Sequence, residues 1–223
     1  MSDPRTPVTE FLLDSAVLED VAAAVDLGFV SGLTTNPTLA AAAGLGPPAE
    51  RVPALLEALP SGPVYHQVEA ETDDGADAEI RAVRAVAPDR IVLKLPATPW
   101  HYRLAARLTA QGVAVSMTAV YTPSQVLLAA AVGARSVICY VDRAARLRQG
   151  GEHLVAELAA ARAAGGGDVR IIAASVKSPP QVTRAVLDGA DAVTAPLEVL
   201  RALAVDELTE QALDGFRRSS TGA

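Results

Sequence analysis

The sequence predicts a single-domain (β/α)8 barrel, the TIM-barrel class of α/β fold, with one extra helix at its carboxyl end. Three observations predict it. Short Val- and Ile-rich runs alternate with longer amphipathic segments from end to end. No two runs are joined by a hairpin turn, so the strands must be parallel and connected by helices. Eight such units fit a chain of 223 residues, the compact end of the barrel range. A doubly wound open sheet is the competing arrangement. It lacks support, because no G-x-G-x-x-G follows the first run, and Gly165-Gly166-Gly167 precedes a strand instead of opening a helix.

The elements follow in order. The strand-like runs are Phe11–Ser15, Gly32–Asn36, Val64–Ala70, Arg90–Pro96, Val113–Tyr121, Ser136–Arg143, Val169–Lys177 and Ala192–Pro196. Gly, Pro or charged residues bound them. The amphipathic segments are Val17–Leu27, Glu50–Leu59, Ala76–Val86, Tyr102–Gln111, Ser124–Val132, Glu152–Ala164 and Pro180–Leu187. Thr122-Pro123-Ser124 is a helix start signal and Gln111-Gly112 a stop. Glu198–Leu203 follows the eighth strand, and Asp206–Arg217 forms a last helix with no strand left to cover. The expected organisation is an amino-terminal arm over residues 1–10, a barrel over 11–204, and a carboxyl-terminal helix and tail over 205–223. That last helix is expected to pack on a neighbouring subunit, and the tail from Ser219 to lack structure.

Composition narrows the function. The formal net charge is −7, so the chain has no electrostatic footprint for nucleic acid or an anionic membrane. Its one cysteine, Cys139, excludes an intrachain disulfide and suits the cytoplasm. Met1–Glu10 lacks the apolar core of a signal peptide, and no apolar run approaches the ~20 residues that span a bilayer. Positive charge is almost all arginine; only Lys94 and Lys177 are lysines, and both end strand-like runs.

In a barrel, side chains at the carboxyl ends of the strands converge on one mouth. Here those ends are polar: Asp14, Asn36, Gln67, Lys94, Thr118, Tyr140 with Arg143, and Ser175 with Lys177. Each has an ordinary alternative. Asp14 or Asn36 would serve as helix caps, Thr118 as a β-branched strand residue, and Tyr140 as core with a satisfied hydroxyl. Seven strands ending this way point to a site. Lys94 is the sharpest member. Alternation sets Val92 and Lys94 on one face of a strand buried on both sides. Desolvation there disfavours the ammonium, and the neutral amine is what attacks a carbonyl. Arginine stays protonated and cannot substitute. A buried Lys94–Asp14 ion pair without chemistry is the alternative.

The neighbouring groups suit carbon–carbon bond chemistry through a Schiff base. A general base is then required, for which Tyr140, Asp14, or Gln67 holding a water are candidates. Gln67 has no titratable proton and can only orient. Arg143, Ser175 and Lys177 lie where barrels often hold phosphate. His66, His101 and His153 are scattered without metal-ligand spacing, so no metal is expected. His66 should face the helices, Cys139 should be a small buried hydrophobe, and Glu69-Ala-Glu71 should be an acidic turn at a helix start.

Phe11-Leu-Leu-Asp14-Ser, Leu33-Thr-Thr-Asn36-Pro37, Val92-Leu-Lys94-Leu-Pro96 and Ala173-Ala-Ser175 resemble the small transaldolase family, which includes the fructose-6-phosphate aldolases. The resemblance spans Phe11 to Phe216. It implies a (β/α)8 barrel, no cofactor, and a Schiff base between Lys94 and a dihydroxyacetone unit. It further implies that Asp14 and Asn36, with Thr35 and Thr118, handle substrate hydroxyls, and that Arg143 and Ser175, beside Lys177, bind a sugar phosphate. A homopentamer or homodecamer is implied, with the last helix crossing to a neighbour. Transaldolases carry glutamate where this chain has Gln67 and phenylalanine where it has Tyr140; the aldolase branch is similar to this chain at both. Asp142, Met117, Cys139 and Pro99-Trp100-His101 depart from the aldolase pattern. Trp100 either lines the mouth or packs on the surface. The expectation is a Schiff-base aldolase joining dihydroxyacetone to an aldehyde such as glyceraldehyde 3-phosphate. The alternatives are a transaldolase of the pentose phosphate pathway or of specialised sugar biosynthesis, and a non-catalytic sugar-phosphate-binding barrel.

Overall fold

The computed structural model describes residues 9–221. Most of the expected amino-terminal arm, residues 1–8, lies outside them, as do residues 222–223 of the tail. Eight parallel strands close into one barrel in sequence order, with the last hydrogen-bonded to the first. They are β1 (Glu10–Asp14), β2 (Val30–Thr34), β3 (Val64–Gln67), β4 (Ile91–Pro96), β5 (Val115–Val120), β6 (Ser136–Tyr140), β7 (Arg170–Ala174) and β8 (Ala192–Ala195). The helices are α1 (Leu18–Val25), α2 (Pro37–Ala42), α3 (Pro48–Ala58), α4 (Asp73–Arg84), α5 (Pro99–Thr109), α6 (Pro123–Ala131), α7 (Val141–Leu147), α8 (Leu154–Ala161), α9 (Pro179–Leu187), α10 (Leu197–Ala202) and α11 (Glu207–Thr221). The single-domain (β/α)8 barrel with an extra carboxyl-terminal helix is therefore the fold observed.

Period-two alternation divides the apolar residues into two layers. Leu13, Leu33, Ile91, Leu93, Val115, Val137, Ile171 and Val193 face outward and pack beneath the helices. Leu12, Tyr65, Val92, Ile138, Ile172 and Ala192 fill the barrel itself. The inner layer is small and partly polar. The hydroxyls of Ser116 and Ser136 meet across β5 and β6 at 2.8 Å. Below them Arg170 pairs with Glu10 at 3.1 Å, closing the amino-terminal end.

Four strands end two or more residues earlier than expected, each for a local reason. β2 stops at Thr34, because the Asn36 side chain accepts from the Leu39 amide at 3.0 Å and caps α2, a short helix not anticipated. β3 stops at Gln67: the Val68 amide still reaches the Lys94 carbonyl oxygen at 3.1 Å, but the two amides beyond it turn away from the sheet. Those of Glu69 and Ala70 donate to the Glu79 carboxylate, the latter at 2.9 Å. β6 stops at Tyr140 and α7 begins at once, so Arg143 lies on a helix and not at a strand end. β7 stops at Ala174 because Ser175 adopts φ of 58°, a left-handed conformation that ends a strand and strains a residue with a Cβ.

The seam between β2 and β3 is short: only Leu33 with Val64 and Thr34 with Tyr65 are in register. Two glycines allow the approach there. A Cβ on Gly62 would meet the Ser31 carbonyl oxygen at 2.0 Å, and one on Gly32 would meet the Pro63 oxygen at 2.9 Å. At the other end of the chain, α11 runs through Ser219 to Thr221, so those three residues are helical and not structureless. It leaves Leu208 and Phe216 exposed by 72% and 70%.

Candidate active site

A cavity of about 510 Å³ opens at the carboxyl ends of the strands. Lys94 lies within it, 3% exposed. Its Nζ donates to the Thr35 carbonyl oxygen at 2.8 Å. Burial pulls its pKa from the usual 10.5 down to about 8, and the negative charge of Asp14 opposes part of that fall. Among the described residues no carboxylate lies within ion-pair distance of Nζ, so the closed Lys94–Asp14 pair does not form. At neutral pH roughly one-tenth of such an amine is unprotonated, against roughly one in three thousand for an ordinary lysine.

Asp14 ends β1 and accepts from the Thr34 hydroxyl at 2.8 Å. Thr34 Oγ1 also lies 2.6 Å from Thr194 Oγ1. A hydroxyl has one proton. Thr34 gives its proton to the carboxylate, so Thr194 must donate to Thr34. The direction of both bonds follows, and the short chain fixes Asp14 from behind. Neither threonine was singled out in the sequence. Thr194 was within reach, since alternation along β8 places it on the same inward face as Ala192.

Gln67 stands directly beside Lys94 in the β3–β4 register. On the far wall, the Tyr140 hydroxyl lies 3.4 Å from Thr118 Oγ1. Its ring meets Tyr121 edge-to-face at 5.7 Å between centroids. The Arg143 guanidinium stands 4.9 Å from the Tyr140 ring centroid, within cation–π reach. Helix α7 therefore delivers Arg143 to the mouth by folding back immediately after Tyr140. The strained Ser175 and Lys177 complete that cationic side. The Ser175 carbonyl accepts from the Asp142 amide at 3.2 Å, which ties the start of α7 to the end of β7.

Of the residues singled out from the sequence, Asp14, Asn36, Gln67, Lys94, Tyr140, Arg143, Ser175 and Lys177 line this one cavity. Asn36 both lines it and caps α2. Thr118 reaches it only through Tyr140. Thr35 contributes its carbonyl; its hydroxyl is buried without a hydrogen-bond partner.

Two residues read as structural, His66 and Cys139, behave accordingly. His66 points outward, with Nε2 at 2.7 Å from Glu79 Oε1 on α4. Cys139 is fully buried, and burial raises its thiol pKa to about 12. Glu69 is not a helix-start residue: it pairs with the buried Arg51, and α4 begins only at Asp73. Among the described residues no group of three or more His, Cys, Asp or Glu is placed to hold a metal. None of their helices is long and apolar enough to cross a membrane.

Comparison with known proteins gives the same picture. The probable transaldolase of Citrifermentans bemidjiense is 34% identical over 207 residues, covering 93% of this chain and 95% of its own. The probable transaldolase of Thermus thermophilus is 36% identical over 214 residues, covering 93% and 96%. A lactate oxidase structure from Pediococcus acidilactici superposes with a TM-score of 0.60 at 14% identity, over 84% of this chain and 62% of that one, a likeness of fold alone. The family model described as Transaldolase/Fructose-6-phosphate aldolase matches residues 11–221. A buried lysine at a barrel mouth, near full-length relatives and this match agree: the chain belongs to the transaldolase/fructose-6-phosphate aldolase family.

Proposed function

We propose that the protein is a Schiff-base aldolase that breaks or forms the bond between a dihydroxyacetone unit and an aldehyde such as glyceraldehyde 3-phosphate. The observation that carries this reading is Lys94: an amine buried at the base of a polar cavity, its pKa lowered to about 8. The unprotonated Nζ adds to the substrate carbonyl, and loss of water gives the iminium. Its electron demand draws in the pair of the adjacent C–C bond as a base removes the proton of the hydroxyl beyond it. The aldehyde leaves, the remaining enamine takes a proton on carbon, and water releases dihydroxyacetone from Lys94.

The Tyr140 hydroxyl supplies the acid and base in this scheme. Gln67 orients a water but has no proton to exchange. Asp14 and Asn36, with Thr118 and the Thr35 loop, hold the hydroxyls of the dihydroxyacetone unit. Arg143, Ser175 and Lys177 hold the phosphate by charge-assisted hydrogen bonds. The reading requires no metal or cofactor.

Fructose 6-phosphate alone tests it. The aldolase reading expects free dihydroxyacetone and glyceraldehyde 3-phosphate. A second reading has its own support, because the relatives are named probable transaldolases. That reading, in pentose phosphate metabolism or specialised sugar biosynthesis, expects product only when erythrose 4-phosphate is added. Borohydride reduction in the presence of substrate, read by intact mass and peptide mapping, tests both. Absence of an adduct on Lys94 under conditions where substrate binds would leave only the non-catalytic barrel.

The reading extends to assembly and compartment. The apolar residues of α11 support its docking on a neighbouring subunit of a homopentamer or homodecamer. The buried free thiol agrees with a cytoplasmic setting.

A further inference from the structure

Gln67 lines the mouth and stands beside Lys94 in the β3–β4 register. In the closed barrel β3 is opposite β7. Gln67 therefore faces, across the mouth, the phosphate arm proposed for Arg143, Ser175 and Lys177. Its side-chain amide has no hydrogen-bond partner among the described residues. What places that amide is the backbone on either side, and one group holds both sides. Glu79 lies on the face of α4 that carries Ala76, Ile80 and Val83, which pack against the barrel. Its carboxylate reaches β3 from behind. Oε1 lies 2.7 Å from Nε2 of His66, the residue before Gln67. Oε2 accepts from the amides of Glu69 at 3.1 Å and Ala70 at 2.9 Å, the second and third residues after it. Between these points the Val68 amide donates to the Lys94 carbonyl oxygen at 3.1 Å.

We propose that Glu79, acting with His66, is a positioning residue for turnover: it brackets Gln67 and fixes where the Gln67 amide stands beside Lys94. Burial alone would raise the pKa of Glu79, but the bonds from His66, Ala70 and Glu69 outweigh it and lower the pKa. Glu79 is therefore a carboxylate that only accepts, and His66 Nε2 donates to it. His66 is fully buried and its Nδ1 has no partner, so among the described residues the bond to Glu79 is the one that orients the ring. Neither His66 nor Glu79 lines the cavity. Any effect they have on the chemistry passes through the strand end between them. In the Schiff-base reading, on which this inference rests, Gln67 orients a water. An amide without a partner of its own holds a water only as well as its backbone is held. A misplacement of about 1 Å is enough to cost up to about a hundredfold in rate.

A double-mutant cycle separates positioning from plain support of the fold. Turnover of fructose 6-phosphate, with and without erythrose 4-phosphate, is measured for the natural protein, Glu79→Ala, Gln67→Ala and the double variant, each also unfolded in urea. Gln67→Ala should lower kcat about tenfold and leave it measurable. Glu79→Ala should lower kcat about tenfold where Gln67 is present and less than twofold where it is absent. KM for fructose 6-phosphate should change less than twofold, since the phosphate is held across the mouth. The stability lost with Glu79→Ala should be the same in both backgrounds. Glu79→Asp, which withdraws the carboxylate by one carbon, should show a smaller kcat loss with the same dependence on Gln67, and it carries the test if the alanine variant does not fold. An equal fold-loss of kcat in both backgrounds makes Glu79 purely structural and overturns the proposal. Unchanged kcat in Glu79→Ala or in Gln67→Ala overturns it as well. Borohydride trapping on the natural protein distinguishes the failures: no adduct on Lys94 rejects the Schiff-base reading and this inference with it, while an adduct with a negative cycle rejects this inference alone.

Discussion

Replacing Lys94 with methionine should abolish turnover and at the same time make the protein more stable. The magnitude follows from the lysine's surroundings. A group whose pKa falls from 10.5 to about 8 on folding is penalised in its charged form by about 3 kcal/mol. Methionine is of similar length and has no charge to desolvate. It loses the 2.8 Å bond from Nζ to the Thr35 carbonyl, which returns about 1 kcal/mol. The net gain at neutral pH is about 2 kcal/mol, or about 4 to 8 °C in Tm for a domain of this size.

The sign reverses with pH. Between about 8 and 10.5 the unfolded lysine keeps its proton while the folded one has released it. The unfolded state then binds more protons, so the stability of the natural protein rises through that window. Lys94→Met has no such term, so its advantage should shrink with pH, reach zero once the remaining penalty has fallen to the ~1 kcal/mol of the lost hydrogen bond, and turn into a small deficit near 10.5. Urea or thermal unfolding of both proteins across this range, at equal protein concentration, reads the difference; the other titrating groups cancel in it. A variant less stable than the natural protein at neutral pH, or a stability gap that does not change with pH, would refute the account of Lys94 as a desolvated amine.

Four further outcomes are expected. Tyr140→Phe should lower C–C cleavage by roughly a hundredfold or more while borohydride still traps substrate on Lys94; undiminished turnover removes Tyr140 from the chemistry. Gln67→Glu places a titratable carboxyl beside Lys94 and should raise transfer to erythrose 4-phosphate relative to release of free dihydroxyacetone; an unchanged product ratio counts against the division of labour proposed for Gln67 and Tyr140. Thr34→Val leaves Asp14 and the Thr194 hydroxyl without their shared partner, so urea unfolding should show a loss of about 1 to 3 kcal/mol. Arg143→Ala should raise KM for phosphorylated aldehydes by about tenfold or more and leave unphosphorylated ones nearly unaffected; equal losses for both would place Arg143 outside the phosphate arm.

The architecture was legible because barrel strands are short, apolar and separated by helices, a pattern that local sequence displays directly. The buried lysine of the cavity was legible for the opposite reason: Lys94 interrupts that pattern. What escaped depended on contacts distant in the chain. Alternation in Tyr140-Val-Asp-Arg143 continues the β6 pattern, and only the tertiary bond from the Asp142 amide to Ser175 shows that the chain has turned into α7. The β3 end read as apolar through Ala70, but Glu79, ten residues beyond Glu69, takes the amides that would have extended the sheet. Glu69 itself looked like surface acidity until Arg51 met it. Thr34 and Thr194 are ordinary strand residues by composition, and their role comes from two strands 160 positions apart lying on either side of β1.

The thin seam between β2 and β3 has a consequence for the life of the protein outside its chemistry. A closed barrel has no edge strands, and so offers no unpaired backbone to another chain. Here closure depends on two residue pairs and on the absence of side chains at Gly32 and Gly62. A methyl group at Gly62 would collide with the Ser31 backbone and hold the seam apart. That single change would create two edges at once, with the unpaired backbone of β2 and β3 on offer. The expected failure is self-association through strand pairing during folding, a loss of solubility that no inspection of the cavity would reveal.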